Sequence, residues 1–277
     1  MRWSPMGRSR NIEDRRGMGG GRMGVGLGGT AVLLILSLIF GRDFISGAGN
    51  EPVPQQTSGD VAVNETPEEA QRVQFVSFVL DTIQATWTRE LPKATGTQYH
   101  DATLVLFRNA VQSACGTAQS AMGPFYCPLD EKVYIDLGFY DDLRARFGAP
   151  GDFAQAYVLA HELGHHVQHI LGIDQQVRQA QQSNPGEGNA LSVRLELQAD
   201  CLAGVWGHYA QNLLEPGDIE EGLNAAAAIG DDRLQGASGM GVNPESFTHG
   251  SSEQRVSWLR RGLQSGDPNS CDSFGGR

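Results

Sequence analysis

Hydrophobic residues in this chain repeat with two periods, and the changes of period mark out its parts. From Val73, the apolar positions Val76, Leu80, Ile83 and Trp87 recur at helical spacing and predict an amphipathic helix. Its start is encoded just upstream. In Thr66-Pro67-Glu68-Glu69 a capping Thr precedes a Pro at the first helical position and a Glu three residues after the cap, which satisfies amides that have no helical partner. Two short β-rich runs follow, Ala102 to Phe107 and Lys132 to Leu137. In the second, Val133 and Ile135 fall on one face and Tyr134 and Asp136 on the other, predicting a small sheet. Beyond Asp152, a candidate cap, Phe153, Tyr157, Ala160, Leu163, Val167 and Ile170 return to helical spacing until Gly172 stops the pattern. Residues 172–189 are polar and contain Asn184-Pro185-Gly186, predicting an amphipathic segment and a loop before a second long helix from about Ala190 to Leu214. The predicted class is α+β, mainly helical with a small sheet.

One stretch shows neither period. Residues 23–41, of which Ala31 to Phe40 is almost purely aliphatic, carry no charge and form a run just long enough to cross a bilayer. Six arginines in residues 1–22, against Glu13 and Asp14, place the amino terminus in the cytoplasm by the positive-inside rule. The competing reading is a signal peptide cleaved after Ser46-Gly47-Ala48; the long, acid-containing amino-terminal region and the intervening Arg42 and Asp43 count against it. The expected order is a basic cytoplasmic segment (1–22), a single transmembrane helix (23–41), a flexible linker (42–65) rich in Gly, Pro, Gln, Ser and acids, and a globular domain (66–277) on the extracytoplasmic side of the cell membrane.

Charge and cysteine content narrow the function. The 277 residues carry a net charge of −11, and the basic start makes the remaining body more acidic still. Such a body repels a polyphosphate, which excludes nucleic acid as a partner. Four cysteines are too few for a disulfide-built scaffold but, on the oxidising side, would pair. Of three connectivities the preferred one joins Cys115 to Cys127, a short loop worth about 3 kcal/mol by chain entropy, and Cys201 to Cys271, which would pin the tail to a helix. The alternative for Cys201 is a reduced core thiol.

The candidate chemistry is concentrated in two helices. His161-Glu162-Leu163-Gly164-His165 is an HExxH motif, and its four-residue step brings both imidazoles onto one helix face, where they can share a metal ion. Glu162, one residue along, can meet a water without being a ligand. A catalytic zinc needs a third protein ligand and an open position; Glu196 on the next helix supplies the ligand, and Asp200, one turn on, would fix a ligand imidazole by hydrogen bonding. Taken alone, Glu196 and Asp200 fit a solvated helix face. Leu195, Ala199, Leu202, Ala203 and Trp206 around them argue for burial, where acids need partners.

HExxH followed by ExxxD resembles the gluzincin-type zincin metallopeptidases, of which thermolysin is the familiar member. Further matches at Gly123 to Cys127 (GPFYC), His161 to Gln168 (HELGHHVQ), Leu223 to Leu234 (LNAAAAIGDDRL) and Thr248 to Arg255 (THGSSEQR) resemble the membrane-anchored neutral zinc metallopeptidases of bacteria, the YpfJ-like proteins. The resemblance spans most of the chain. It implies a zincin-like domain with Zn2+ at His161, His165 and Glu196, acting on a peptide or protein substrate, with Glu162 as general base. Thr248-His249-Gly250 with Arg255 also resembles the HtpX-like and CaaX-processing membrane proteases, which implies that His249 and Arg255 steady the charge on substrate oxygens; the plainer alternative is a surface His and a helix-face Arg. Zincins bind extended substrate on an edge strand, a role that Val133 to Asp136 could take. His166 reads as structural and His169 as surface, and either Asp231 or Asp232 could orient His249. Two other classes stand beside the peptidase: a membrane-tethered binding or scaffold protein whose structural zinc would be closed by four protein ligands, and a metallohydrolase of non-peptide bonds with the same ligand set.

Overall fold

The computed structural model describes residues 1–17, 63–237 and 241–275. Helix α1 (Pro67–Thr95) begins as its sequence dictates: Thr66 Oγ1 accepts from the Glu69 amide, and the Glu69 carboxylate accepts from the Thr66 amide. Its predicted stripe is sealed, with Val76, Leu80, Ile83 and Trp87 fully buried.

Strands β1 (Ile12–Asp14), β2 (Thr103–Phe107), β5 (Phe125–Cys127) and β6 (Lys132–Asp136) form one sheet in the order β1-β2-β6-β5; β3 (Ala110–Ser113) and β4 (Gly116–Gln119) form a separate hairpin. β1, β2 and β6 run parallel, and β5 is antiparallel to β6. Alternation then sorts side chains by face. Leu104, Leu106, Val133 and Ile135 join the main core with α1, while Val105, Phe107 and Tyr134 pack in a smaller cluster with Val111, Ala118 and Cys127. The sheet corrects one expectation. β6 is an inner strand, paired by β2 along its length and by β5 at Lys132 to Tyr134, so Val133 and Tyr134 have no free backbone edge; β1 and β5 are the edge strands.

The second half is helical: α2 (Phe139–Ala145), α3 (Asp152–Ile170), α4 (Ile173–Ser183), α5 (Gly188–Tyr209), α6 (Asp218–Ala228), α7 (Asp231–Ala237) and α8 (Ser252–Ser265). α5 packs on both α3 and α8. Asp152 does not cap α3; its carboxylate takes the Met1 ammonium at 2.7 and 2.9 Å instead. Disulfides join Cys115 to Cys127 and Cys201 to Cys271, the second tying the tail to α5.

The membrane topology requires correction. Among the described residues no helix is long and apolar enough to cross a membrane, and the span expected at 23–41 lies outside them. The amino-terminal segment overturns the single-pass arrangement. Ile12, Glu13 and Asp14 pair with Leu104, Val105 and Leu106, so residues on either side of the expected span share one sheet. A chain that crosses a bilayer once leaves its two flanks on opposite sides and cannot form that pairing. A zincin-like domain preceded by a single transmembrane helix, with a cytoplasmic amino terminus and a catalytic domain outside, is therefore not the architecture. Three of the six arginines that suggest a cytoplasmic start are ion-paired in the fold: Arg16 pairs with Asp14 and Glu65, Arg15 with Glu13, and Arg8 with Asp14.

α5 and α8 approach at Gly204 and Gly262. A Cβ on Gly262 would fall 1.9 Å from the Cys201 carbonyl oxygen, and one on Gly204 would fall 2.2 Å from that of Leu259. Gly262→Ala must therefore force the helices apart, at an expected cost of at least about 1–3 kcal/mol. Urea unfolding would show a lowered midpoint; an unchanged midpoint would mean that the two backbones are not in contact.

Candidate metal centre

α3 and α5 bring the candidate residues together because one residue between them is small. A Cβ on Gly164 would sit 3.0 Å from the carbonyl oxygen and 3.2 Å from the Cα of Ala199, so glycine at the fourth position of HELGH lets α5 come close. Glu196 and Asp200, one turn apart on α5, then face His161 and His165, one turn apart on α3. The ligating atoms of His161, His165 and Glu196 all lie within 4.8 Å of one another. Glu196 Oε2 is 3.1 Å from His161 Nε2, and Glu196 Oε1 is 3.5 Å from His165 Nε2.

These separations can be tested against a zinc ion. Bonds of about 2.0–2.2 Å in a tetrahedron put ligand atoms about 3.4 Å apart, so the donors already stand near coordination distance. Two imidazole nitrogens and one carboxylate oxygen are a donor set that zinc accepts. The residues fit the ion.

The far nitrogens of both imidazoles are anchored. His161 Nδ1 lies 2.8 Å from Asp200 Oδ1 and His165 Nδ1 lies 2.8 Å from Gln168 Oε1. Asp200 is fully buried and is matched by Arg255, whose Nε and one terminal nitrogen donate to it at 2.9 Å each. Tyr157 OH donates to the same carboxylate at 2.6 Å. Arg255 thus has a partner within the protein that its sequence setting does not announce. Only 2% exposed, its guanidinium is bonded to Asp200 and to the Ile229 carbonyl, while the residue also borders the cavity. Tyr157, Gln168 and Arg255 in this supporting role escaped the sequence reading, although Tyr157 and Gln168 share a face with the imidazoles at four- and three-residue spacing.

Electrostatics follow from burial and pairing. Burial opposes charge on His161, yet Asp200 and Glu196 on its two sides outweigh it and hold the pKa up at about 10. Burial would raise the pKa of Glu196 and Asp200, but imidazoles overcome it for the first, and Arg255 with His161 for the second, so both acids stay low. Glu162 differs. It is 8% exposed, and burial prevails, raising its pKa despite the neighbouring imidazoles.

His249 lies on the same cavity. Asp231, not Asp232, orients it: Asp231 Oδ2 accepts from the amides of Thr248 and His249 at 2.7 Å each, and Asp231 Oδ1 lies 3.2 Å from His249 Nδ1. Asp232 is used by Ser252. His166 is buried between the Tyr126 hydroxyl and the His100 carbonyl, at 2.9 and 2.8 Å. His169, expected at the surface, is largely covered and bonds Asp174 at 2.9 Å.

The cavity encloses about 690 Å³ and is bordered by His161, Glu162, His165 and Glu196 on one side and by Gly123 to Tyr126, which include edge strand β5, on another. That volume suits a peptide segment or a comparably sized small molecule.

Comparison with known proteins now decides the family. The model of the family described as "Putative neutral zinc metallopeptidase" matches residues 1–274. This chain belongs to that family. Relatives of the neutral zinc metallopeptidase family include an uncharacterized Escherichia coli K12 protein, YpfJ, 49% identical over 99% of both chains. An uncharacterized Mycobacterium tuberculosis protein, Rv2575, is 44% identical over 70% of this chain and 68% of its own. No solved structure matches the chain. Because the match begins at residue 1, it takes in the segment that supplies β1. Membership carries the description of a zinc peptidase; the roles of individual residues rest on the geometry above.

Proposed function

We propose that this protein is a zinc peptidase of gluzincin type, with His161, His165 and Glu196 as the metal ligands and Glu162 as the general base. The observation that carries the reading is the convergence of three donors from two helices beside a buried carboxyl group, all on one cavity. Zinc bound there would supply Lewis acidity, polarising a carbonyl oxygen and bringing the pKa of a water ligand toward about 7.

The chain's own residues would do the rest. Glu162, with its pKa raised by burial, accepts the proton of the attacking water on its carboxylate and delivers it to the leaving amine. Asp200, charged and held by Arg255, keeps a proton on His161 Nδ1 and turns Nε2 inward. Arg255 is therefore a positioning residue. His249, anchored through Nδ1, has Nε2 left to steady negative charge on a substrate oxygen. An extended peptide would add to the outer edge of β5, which covers Lys132 to Tyr134 of β6.

Incubation of the full chain with a diverse peptide pool should yield cleavage that a chelator stops and zinc restores. Cleavage indifferent to the chelator would refute the reading. His249→Ala should lower kcat by about 10²–10³ with zinc content unchanged. Loss of zinc from that variant would instead make His249 a ligand.

A further inference from the structure

His165 stands at the inner end of a hydrogen-bonded chain that finishes on the carboxyl-terminal tail. Its Nδ1 meets Gln168 Oε1 at 2.8 Å. Gln168 Nε2 donates to the Leu195 carbonyl at 2.7 Å and to Gln198 Oε1 at 3.0 Å. Gln198 Nε2 donates in turn to the backbone carbonyl of Cys271 at 3.1 Å, and Cys271 is held there by its disulfide to Cys201. Both amides are sealed from solvent, Gln168 completely and Gln198 to 6% exposure, so neither can exchange a partner for bulk water.

The chain has a polarity that only one arrangement satisfies. A backbone carbonyl can accept but not donate, so the Cys271 oxygen turns the amino end of Gln198 toward the tail and its oxygen toward Gln168. The Leu195 carbonyl and the Gln198 oxygen then claim the amino end of Gln168, leaving only its oxygen for His165. That oxygen can be met only by an N–H. His165 must therefore carry its proton on Nδ1, which keeps the lone pair of Nε2 on the side of Glu196. His161 reaches the same tautomer by a single step, through Asp200.

We propose that Gln168 and Gln198 are positioning residues which, braced by the disulfide-held tail, fix the tautomer and ring orientation of His165 for metal binding. Affinity at the centre then depends on a residue at the far end of the chain. The inference rests on the reading of His165 as a metal ligand, and its test separates the two.

Zinc affinity would be measured on the full chain, stripped of zinc, by competition with a chromophoric chelator, alongside thermal unfolding of each stripped protein. Gln168→Leu and Gln198→Leu should each weaken zinc binding by about 10–100-fold, the range for losing a partner of a ligand imidazole. The double variant should bind no more weakly than Gln168→Leu alone, because a broken relay cannot be broken again. Cys201→Ser/Cys271→Ser should likewise weaken binding and add nothing to Gln198→Leu. Should the cysteine variant fail to fold, Gln198→Leu, whose disulfide is intact, carries the test. Wild-type affinity in both Gln variants, or effects that simply add, would overturn the relay. Wild-type affinity in His165→Ala would instead sink the ligand assignment itself.

Discussion

Glu162→Gln should lose peptide hydrolysis by at least about 10²–10⁴-fold while still binding one zinc with wild-type affinity. The substitution keeps the shape of a side chain that is 8% exposed, so packing between α3 and the cavity is unchanged. It removes the one property the proposed reaction needs, a carboxylate that accepts a proton from water and gives it up again. Burial raises the pKa of Glu162 while the flanking imidazoles oppose the rise, which places it better than an exposed acid for holding a proton near neutral pH. The amide cannot titrate at all. Steady-state hydrolysis of a cleaved peptide and metal analysis on the same sample check both halves of the expectation. Retained hydrolysis would move the general base elsewhere, and lost zinc would place Glu162 among the ligands.

Arg255→Met should destabilise the protein by about 3–5 kcal/mol and weaken zinc binding together. Removing one partner of a buried ion pair leaves the other charged and unpaired in the interior. Asp200 is fully buried, and its two oxygens take both bonds from Arg255 as well as those from Tyr157 and His161. Arg255→Met/Asp200→Leu removes both charges, and such apolar replacements of a pair are often close to neutral for stability. Stability should recover in the double variant, whereas zinc affinity should not, because His161 then lacks the acceptor at Nδ1. Urea unfolding and chelator competition separate the two effects. Full recovery of zinc affinity in the double variant would show that Asp200 supports the fold alone.

The parts that could be read from sequence are those whose cause is local. The capping box at Thr66, the stripe of α1 and the single-faced pair His161 and His165 each follow from spacing within one or two turns. The edge strand could not be read this way. Whether β5 or β6 has a free side depends on what pairs with each, and β6 acquires β2 from 29 residues upstream. β1 was invisible for the same reason: Ile12-Glu13-Asp14 has too few residues to show a period, and its partner begins at Leu104. The aliphatic run that follows is the stronger local signal, and sequence alone does not show that Arg8, Arg15 and Arg16 are paired within the fold. Arg255 is a parallel case. Its sequence setting resembles that of a substrate-facing residue, but only the packing of α8 on α5 reveals Asp200, 55 positions earlier, as its partner.

Zinc-edge X-ray absorption on the full chain loaded with one equivalent of zinc tests the central claim most directly. It should show two imidazole nitrogens at about 2.0–2.1 Å, the remaining scatterers being oxygens at about 2.0–2.2 Å, with one oxygen altered in Glu196→Ala. Sulfur at about 2.3 Å, a single imidazole, or a shell unmoved by Glu196→Ala would contradict it.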